Sequence, residues 1–317
     1  MPGCLPPCAG ISLCAMTTRP SHPRLVALWA AVALLSWGSA YPIVRVVMHE
    51  IGPVPLAALR YALAAVLSVG WLLYERAPLP RARDIPRFVA CGGIGISLYN
   101  VLFNTGELSV SAGASSLLIS SSPLMAAIIA VAVMGERLTA WGWVGSLISF
   151  AGVITIAGGE PGGLSFGSGT TLILGAALCS ALYTTLQKRL IPTYGAMATT
   201  AYVLIVGGIV LLPWLPQALG RVPHMSMAGI ASVAQLAILP AFVGYAAWTW
   251  VVGQMGVARA AGLLYLLPPV TLLESFALVH EVPELRTLLG GVVVMLGVFL
   301  ANTLGRAPVE RMPPGGE

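Results

Sequence analysis

Ten apolar segments of membrane-spanning length occupy almost all of this 317-residue chain. A helix needs about 20 mostly apolar residues to cross the hydrocarbon core of a bilayer. The segments are too uniformly apolar for barrel strands, which alternate polar and apolar side chains. The sequence therefore predicts an all-α integral membrane protein with ten transmembrane helices, at 25–47, 54–74, 86–103, 113–134, 140–158, 169–186, 196–214, 228–252, 260–280 and 286–304.

The second five segments repeat the first five. An offset of 142 positions aligns the beginnings of the halves, where Tyr41 meets Tyr183, and an offset of 145 aligns their later parts. Because five is odd, the second half must start on the opposite side of the bilayer. The repeat thus predicts two inverted five-helix repeats, an architecture typical of alternating-access transporters. The pairs in the later parts are Pro123 and Pro268, Glu136 and Glu281, Gly145 and Gly290, and Gly152 and Gly297.

The distribution of charge predicts the orientation of the chain. Only 9% of the residues are charged, against roughly a quarter in a soluble protein. With the N terminus placed inside, only Arg45, Arg221 and Arg286 of the 16 Lys and Arg residues fall on the outer side, while Arg60 lies within a segment. Positive charge concentrates on the cytoplasmic side of membrane proteins. We therefore expect a multi-pass membrane protein with both termini cytoplasmic and no nucleic-acid partner.

The rest of the chain divides around the two repeats. We expect a disordered cytoplasmic leader at 1–24, with Met16 as an alternative start, and a disordered cytoplasmic tail at 305–317 that is rich in Pro and Gly. The first repeat covers 25–158 and the second 169–304. A short periplasmic linker, 159–168, joins them.

Four stretches of sequence carry a family resemblance. Ser111–Gly158 combines a helix start of small residues, Pro123, a Gly-Glu-Arg-Leu turn and a helix with regularly spaced glycines. The other stretches are LLSWGSAYPIVRVVM at 34–48, LAALRYALAA at 56–65 and ALYTTLQKRL at 181–190. Together they resemble EamA-type members of the drug/metabolite transporter superfamily. The second half departs at 280–283, where His-Glu-Val-Pro replaces the Gly-Glu-Arg-Leu turn.

This resemblance implies a ten-helix secondary transporter of the bacterial cytoplasmic (inner) membrane. The first four helices of each half would surround a central cavity, and the fifth and tenth helices would pack outside it. The implied function is export of a small metabolite, such as an amino acid or related compound, by alternating access that is either proton-coupled or downhill.

Polar and aromatic side chains mark the candidate substrate site. In the first, third and sixth segments they recur every three or four residues, so they share one face of each helix. Such faces avoid lipid and point into protein or water. The alternative is that they only hydrogen-bond neighbouring helices. The residues expected to contact substrate are Trp37, Tyr41, Asn100, Asn104, Tyr183, Gln187, Tyr245, Trp248 and Tyr265.

The few charges within the apolar segments suggest an ion pair. Arg60 and Glu274 each lie roughly 9 Å from the outer end of their segments at 1.5 Å per residue, and Glu107 lies close to an outer helix end. Because buried charges need partners, we expect Arg60 to pair with Glu107 or Glu274. Glu274 has no acidic counterpart in the first repeat, so it is also a candidate proton site. The alternative role for Glu274 is a static ion pair.

Other features have simpler explanations. Glu136 and Glu281 are expected to stabilise the N-termini of the helices that follow them. The small residues Gly142, Gly145, Ser146 and Ser149 allow close helix packing. That packing is expected within one subunit, with a homodimer interface as the alternative.

Enzyme chemistry is not expected. The chain has no His-Glu-x-x-His, Walker or dinucleotide-binding motif, and its four His residues lie outside the segments or at their ends. We therefore predict no catalytic residues, metal or cofactor, and a small-molecule substrate, membrane lipids and protons as partners. The competing interpretations are an intramembrane lipid-modifying enzyme and a non-transporting membrane scaffold.

Overall fold

A computed structural model describes residues 23–134, 139–160, 168–187, 189–255 and 263–304. Every regular element among these residues is helical, as the sequence predicts. The leader up to residue 22, residues 161–167 of the linker, Glu136 and the tail from residue 305 lie outside the described residues.

The first half contains eight described helices, some of which continue one another. α1 and α2 meet at Ser39, a π-helical stretch joins α4 to α5, and a turn at Ser120 and Ser121 separates α6 from α7. The helices are α1 (Pro23–Gly38), α2 (Ala40–Ile51), α3 (Pro53–Tyr74), α4 (Ile85–Gly92), α5 (Tyr99–Gly106), α6 (Ala112–Ile119), α7 (Ser122–Met134) and α8 (Ala140–Ala157).

The second half follows a similar plan, with eight more helices among the described residues. α11 continues through short turns into α12, and a second π-helical stretch joins α13 to α14. The helices are α9 (Gly169–Gln187), α10 (Ile191–Tyr194), α11 (Ala196–Leu211), α12 (Leu215–Arg221), α13 (Met227–Ile238), α14 (Gly244–Met255), α15 (Leu267–Val279) and α16 (Leu285–Thr303).

Seven helical stretches in the described part of the chain are long and apolar enough to cross a membrane. Two further apolar helices, Leu264–Val279 and Leu285–Ala301, are shorter. The fourth predicted segment is divided by the turn at Ser120, so neither of its pieces reaches spanning length alone. The spanning helices are Pro23–Ile51, Pro53–Tyr74, Ala82–Gly106, Ala140–Ala157, Gly169–Gln187, Ala196–His224 and Met227–Val252.

Local sequence sets where several helices begin and break. Ser111, Thr139 and Ser226 each accept a hydrogen bond from the backbone N–H three residues later, at the starts of α6, α8 and α13. These are favourable N-cap residues because they satisfy amides that have no partner within the helix. Pro42 lacks an N–H, so the Gly38 carbonyl loses its usual helical partner next to the α1–α2 junction.

Two backbone features recur in the same place in each half. Gly52 precedes α3 with φ 91° and ψ 156°, and Gly195 precedes α11 with φ 76° and ψ 160°. Both lie in a region that favours glycine because other side chains would be strained there. The third segments of the two halves also match, because each contains a π-helical stretch, Gly93–Leu98 and Leu239–Val243.

The last helices of the two halves, α8 and α16, pack at backbone distance. A Cβ added to Gly145 would lie 2.7 Å from the Gly297 carbonyl oxygen, and one added to Gly152 would lie 2.7 Å from that of Gly290. The 145-residue offset exchanges these two contacts, as a twofold relation between the halves would. The small-residue face of α8 is therefore occupied within one chain, as expected.

Candidate functional site

An aromatic cluster, Trp37, Tyr245 and Trp248, lies where the two halves meet. The Trp37 ring is 5.4 Å from Tyr245, edge on, and 5.5 Å from Trp248 between centroids. Its Nε1–H donates a 3.0 Å hydrogen bond to the Pro240 carbonyl. The indole can approach so closely because Gly244 has no side chain: a Cβ there would lie 2.9 Å from Trp37 Nε1. Three predicted site residues are thus brought together by α1 and α14.

Four tyrosines, which we name the tyrosine group (Tyr61, Tyr99, Tyr183 and Tyr245), extend this region. Tyr61 lies near Tyr99, Tyr183 and Tyr245, and Tyr245 also lies near Tyr99 and Tyr183. Tyr183 packs against Gly95, where an added Cβ would lie 2.6 Å from its ring. Sequence reasoning missed Tyr61 and Tyr99, although they adjoin the predicted Arg60 and Asn100.

Tyr41 belongs to a more enclosed part of the same region. It is buried, and its ring meets Phe103 edge on at 5.2 Å. Tyr99 stacks on the same Phe103 at 5.7 Å, with an interplanar angle of 6°. Phe103 therefore holds two tyrosines, one from α2 and one from its own helix.

The predicted amide side chains are bound to backbone carbonyls. Asn100 Nδ2 donates to Ile96 of its own helix at 2.7 Å, and Asn104 Nδ2 donates to Pro53 at 2.8 Å. The Asn104 Oδ1 atom is enclosed and has no hydrogen-bond partner among the described residues. Gln187 is the last residue of α9 and is partly buried.

Tyr265 lies against the last helix instead of in the aromatic cluster. Its hydroxyl is 3.4 Å from the Val298 carbonyl oxygen, and its ring is 6.4 Å from that of Phe299. Both contacts are with α16. Its role in substrate contact stays a prediction.

The predicted ion pair of Arg60 with Glu107 or Glu274 is absent between these described residues. Arg60 is buried, with 7% exposure, and its Nε–H donates to the Leu236 carbonyl at 3.1 Å. That carbonyl is available because the residue four positions later is Pro240, which has no N–H to donate to it. The guanidinium also lies 5.1 Å from the centre of the Tyr61 ring.

The two acidic residues occupy separate environments. Glu107 is fully buried, and neither of its carboxyl oxygens has a hydrogen-bond partner among the described residues. Glu274 is only partly buried, although its Oε2 atom is enclosed and also without a partner in that part of the chain. Glu274 lies against Gly38, at the α1–α2 junction, where a side chain would collide with it.

A polar network joins the halves at the predicted outer end. Arg45 Nη1 donates to Glu281 Oε2 at 3.3 Å and to the Val110 carbonyl at 3.0 Å. The other oxygen of Glu281 accepts from the Gly113 N–H at 3.3 Å. Glu281 therefore binds the start of α6, which lies in the other half. The prediction that Glu281 stabilises the N terminus of the helix that follows it is wrong. The predicted role of Glu136 lies outside the described residues.

Glu160 adds a second carboxylate to this end. It accepts hydrogen bonds from the Ser111 N–H at 3.2 Å and from the Ser111 hydroxyl at 3.0 Å. Burial raises the pKa of Glu160 above its ordinary value, while the hydrogen bonds from Ser111 act in the opposite direction. The start of α6 is thus held by one carboxylate from the linker, Glu160, and one from the second half, Glu281.

Comparison with known proteins identifies the chain. A family model described as "EamA-like transporter family" matches it twice, at residues 24–158 and 167–303. The "Probable terminal-alkyne amino-acid exporter" of Streptantibioticus cattleyicolor is 36% identical over 298 residues, which cover 91% of this chain and 98% of the relative. The "Uncharacterized transporter YdfC" of Bacillus subtilis is 32% identical and covers 88% of each chain.

A solved structure shares the fold. It is described as "Crystal structure of protein" and has 18% sequence identity and a TM-score of 0.59 to this chain. The match covers 87% of this chain and 95% of the solved chain. The matched family and the named relatives are transporters, which agrees with the absence of enzyme motifs from the sequence. The protein is therefore a multi-pass membrane transporter that belongs to the EamA-like transporter family.

Proposed function

We propose that this protein exports a small amphipathic metabolite by alternating access. The observation that carries the proposal is the composition of the aromatic cluster, which takes Trp37 from the first half and Tyr245 and Trp248 from the second. A substrate held between two halves can be passed across the bilayer when the halves rock against each other. The other proposed substrate contacts are Tyr41, Asn100, Asn104, Tyr183, Gln187 and Tyr265.

The proposed framework is ten transmembrane helices in two inverted five-helix repeats. The repeated glycines before α3 and α11, the two π-helical stretches and the exchanged contacts of α8 with α16 support it. It places both termini in the cytoplasm of a bacterial cell and the protein in the inner membrane. A reporter fused after Arg306 should then be cytoplasmic, and one inserted at 159–167 should be periplasmic. Reporters on the same side would contradict the inverted repeat.

The proposed substrate class is an amino acid with a slim apolar side chain. The relative from Streptantibioticus cattleyicolor is named for amino acids that carry a terminal alkyne. Aromatic rings provide flat apolar surfaces for such a side chain, while tyrosine hydroxyls provide hydrogen bonds for the polar end. Both kinds of group come together in the region around Tyr245.

The test is transport by purified protein in liposomes. Efflux of 2-aminopent-4-ynoic acid, which has a terminal alkyne, is measured beside that of its saturated analogue 2-aminopentanoic acid, with protein-free liposomes as the control. We expect protein-dependent flux of the unmodified compound. Chemical conversion would indicate an enzyme, and neither flux nor conversion of any amino acid would indicate a scaffold.

We propose proton coupling through Glu274, with downhill transport as the alternative. Its enclosed Oε2 atom, which has no hydrogen-bond partner in the described part of the chain, lies beside the α1–α2 junction. A change of charge there would act on a broken helix. Glu274→Gln should abolish flux driven by a pH gradient and preserve downhill exchange. Gradient-driven flux equal to that of the unmodified protein would leave Glu274 with a structural role only.

A further inference from the structure

Arg60 is a buried cation without a counter-ion among the described residues. Only 7% of its surface is exposed. No carboxylate in the described part of the chain lies within ion-pairing distance of it. Glu107 is within electrostatic range of Arg60 but does not pair with it. An unpaired charge inside a membrane protein is costly, so a residue of this kind needs an explanation beyond packing.

The guanidinium is fixed by one nitrogen and leaves the other two available. Only Nε donates a hydrogen bond to a described residue, the Leu236 carbonyl. Neither Nη nitrogen is among the enclosed polar atoms that lack partners, so both reach accessible space. A guanidinium has five N–H donors in a planar fork that matches a carboxylate. Arg60 therefore presents the two-nitrogen side of that fork with its orientation already set.

The surroundings of Arg60 suit an anion. Tyr99 and Tyr245 both lie near it, and its guanidinium lies over the Tyr61 ring. Tyrosine hydroxyls can donate hydrogen bonds to a carboxylate that the guanidinium also binds. Tyr245 further links this position to the aromatic cluster through Trp37.

We propose that Arg60 binds the carboxylate of the transported molecule, with hydroxyls of the tyrosine group completing the site. The inference rests on the proposed function and narrows it, because it requires an anionic group on the substrate next to an apolar part that reaches the aromatic cluster. The substrate then supplies a counter-ion that the described part of the chain does not provide. Arg60 becomes a substrate-binding residue instead of a member of a structural ion pair.

The first experiment tests the anion site without assuming the substrate. Thermal unfolding of the purified protein is followed with butyrate or with butyramide, which has a similar shape and no charge. Butyrate should raise the melting temperature more than butyramide, and Arg60→Met should remove the difference. Arg221→Met, which replaces an exposed arginine, should keep the difference between butyrate and butyramide. No preference for butyrate in the unmodified protein would overturn the inference.

The second experiment compares transport of 2-aminopent-4-ynoic acid with that of its carboxamide. Loss of a charge-assisted, bidentate contact should lower flux of the acid about 10- to 100-fold in Arg60→Met, with carboxamide flux within about twofold of its original value. If Arg60→Met does not fold, Arg60→Lys replaces it, since a lysine keeps the charge and loses the fork. We expect that variant to lose part of the preference for the acid.

The outcomes separate this inference from the proposed function. Equal loss of acid and carboxamide flux would show that Arg60 only positions α13 through Leu236, which overturns the inference and leaves the transporter intact. Failure of the unmodified protein to carry either compound would contradict the proposed substrate class. In that case the butyrate comparison still decides whether Arg60 is an anion site.

Discussion

The first segments of the two halves occupy equivalent places, yet only one of them is broken. α1 and α2 separate at Ser39, whereas α9 is continuous over Gly169–Gln187. Pro42 explains the difference because it lacks an N–H, while its counterpart at the 142-residue offset is Thr184, which has one. Local chemistry thus makes the first helices of the two halves different.

The predicted outer and inner ends differ for a related reason. At the outer end Arg45 of the first half binds Glu281 of the second. The counterpart of Arg45 is Gln187, a neutral amide at the end of α9. Two equivalent positions therefore carry an ionic contact at one end and a neutral side chain at the other. We expect the loss of Arg45 to cost more stability than the loss of Gln187.

The largest expected effect comes from breaking the symmetric packing of α8 and α16. Gly145→Leu and Gly290→Leu should each cost about 3 kcal/mol or more, because the added side chain meets backbone atoms that cannot move aside. Thermal unfolding and gel filtration in detergent would measure the loss. Gly70→Leu is the matched control, since a Cβ there has no atom within 4 Å. Clearly unequal losses in the first two variants would argue against a twofold relation.

Removal of Arg45 should sharpen the comparison of the two ends. Arg45→Met leaves Glu281 and the Val110 carbonyl without this donor and should cost about 1–3 kcal/mol. Gln187→Met should cost less than about 0.5 kcal/mol, as is usual away from such contacts. Denaturant unfolding, with Glu281→Gln to complete a double-mutant cycle, gives the coupling energy. Equal costs for Arg45→Met and Gln187→Met would remove the proposed difference between the ends.

The paired tyrosines test whether both halves contribute to transport. Tyr41→Phe and Tyr183→Phe should each lower flux about tenfold while the protein still inserts, since a site that hydrogen-bonds its substrate loses affinity when one polar partner is missing. Asn100→Leu should act in the same direction. Normal transport by all three variants would show that these polar faces only pack helices together.

The smallest expected effect is the pH dependence of stability at Glu160. Because its pKa is raised from the ordinary value of 4.5, the folded protein binds this proton more tightly than the unfolded chain does. Its contribution to stability is therefore present below pH 4.5 and is lost as the pH rises through the raised pKa. Glu160→Gln should make the melting temperature depend less on pH over that range. An unchanged profile would mean that Glu160 does not titrate differently in the folded protein.

Sequence reasoning succeeded where the signal is local or repeated. Hydropathy predicts the helical membrane protein, the spacing of Trp37 and Tyr41 predicts inward-facing residues, and the family motifs predict a transporter. The predicted ion pair of Arg60 was wrong because Arg60 instead binds the Leu236 carbonyl. That carbonyl is available because of Pro240, which lies far from Arg60 in the sequence. It also missed Tyr61 and Tyr99, since nothing in their local pattern distinguishes them from membrane aromatics.

The amino-acid sequence by itself determined the helical class and the family, because apolar length, glycine and proline act through the local backbone. Only the tertiary structure decided which polar groups meet. Arg60 binds the Leu236 carbonyl and Arg45 binds Glu281, and each contact joins residues of different halves. Periodicity along one helix indicates the direction in which a side chain points, whereas its partner is set by the packing of helices that are distant in the chain.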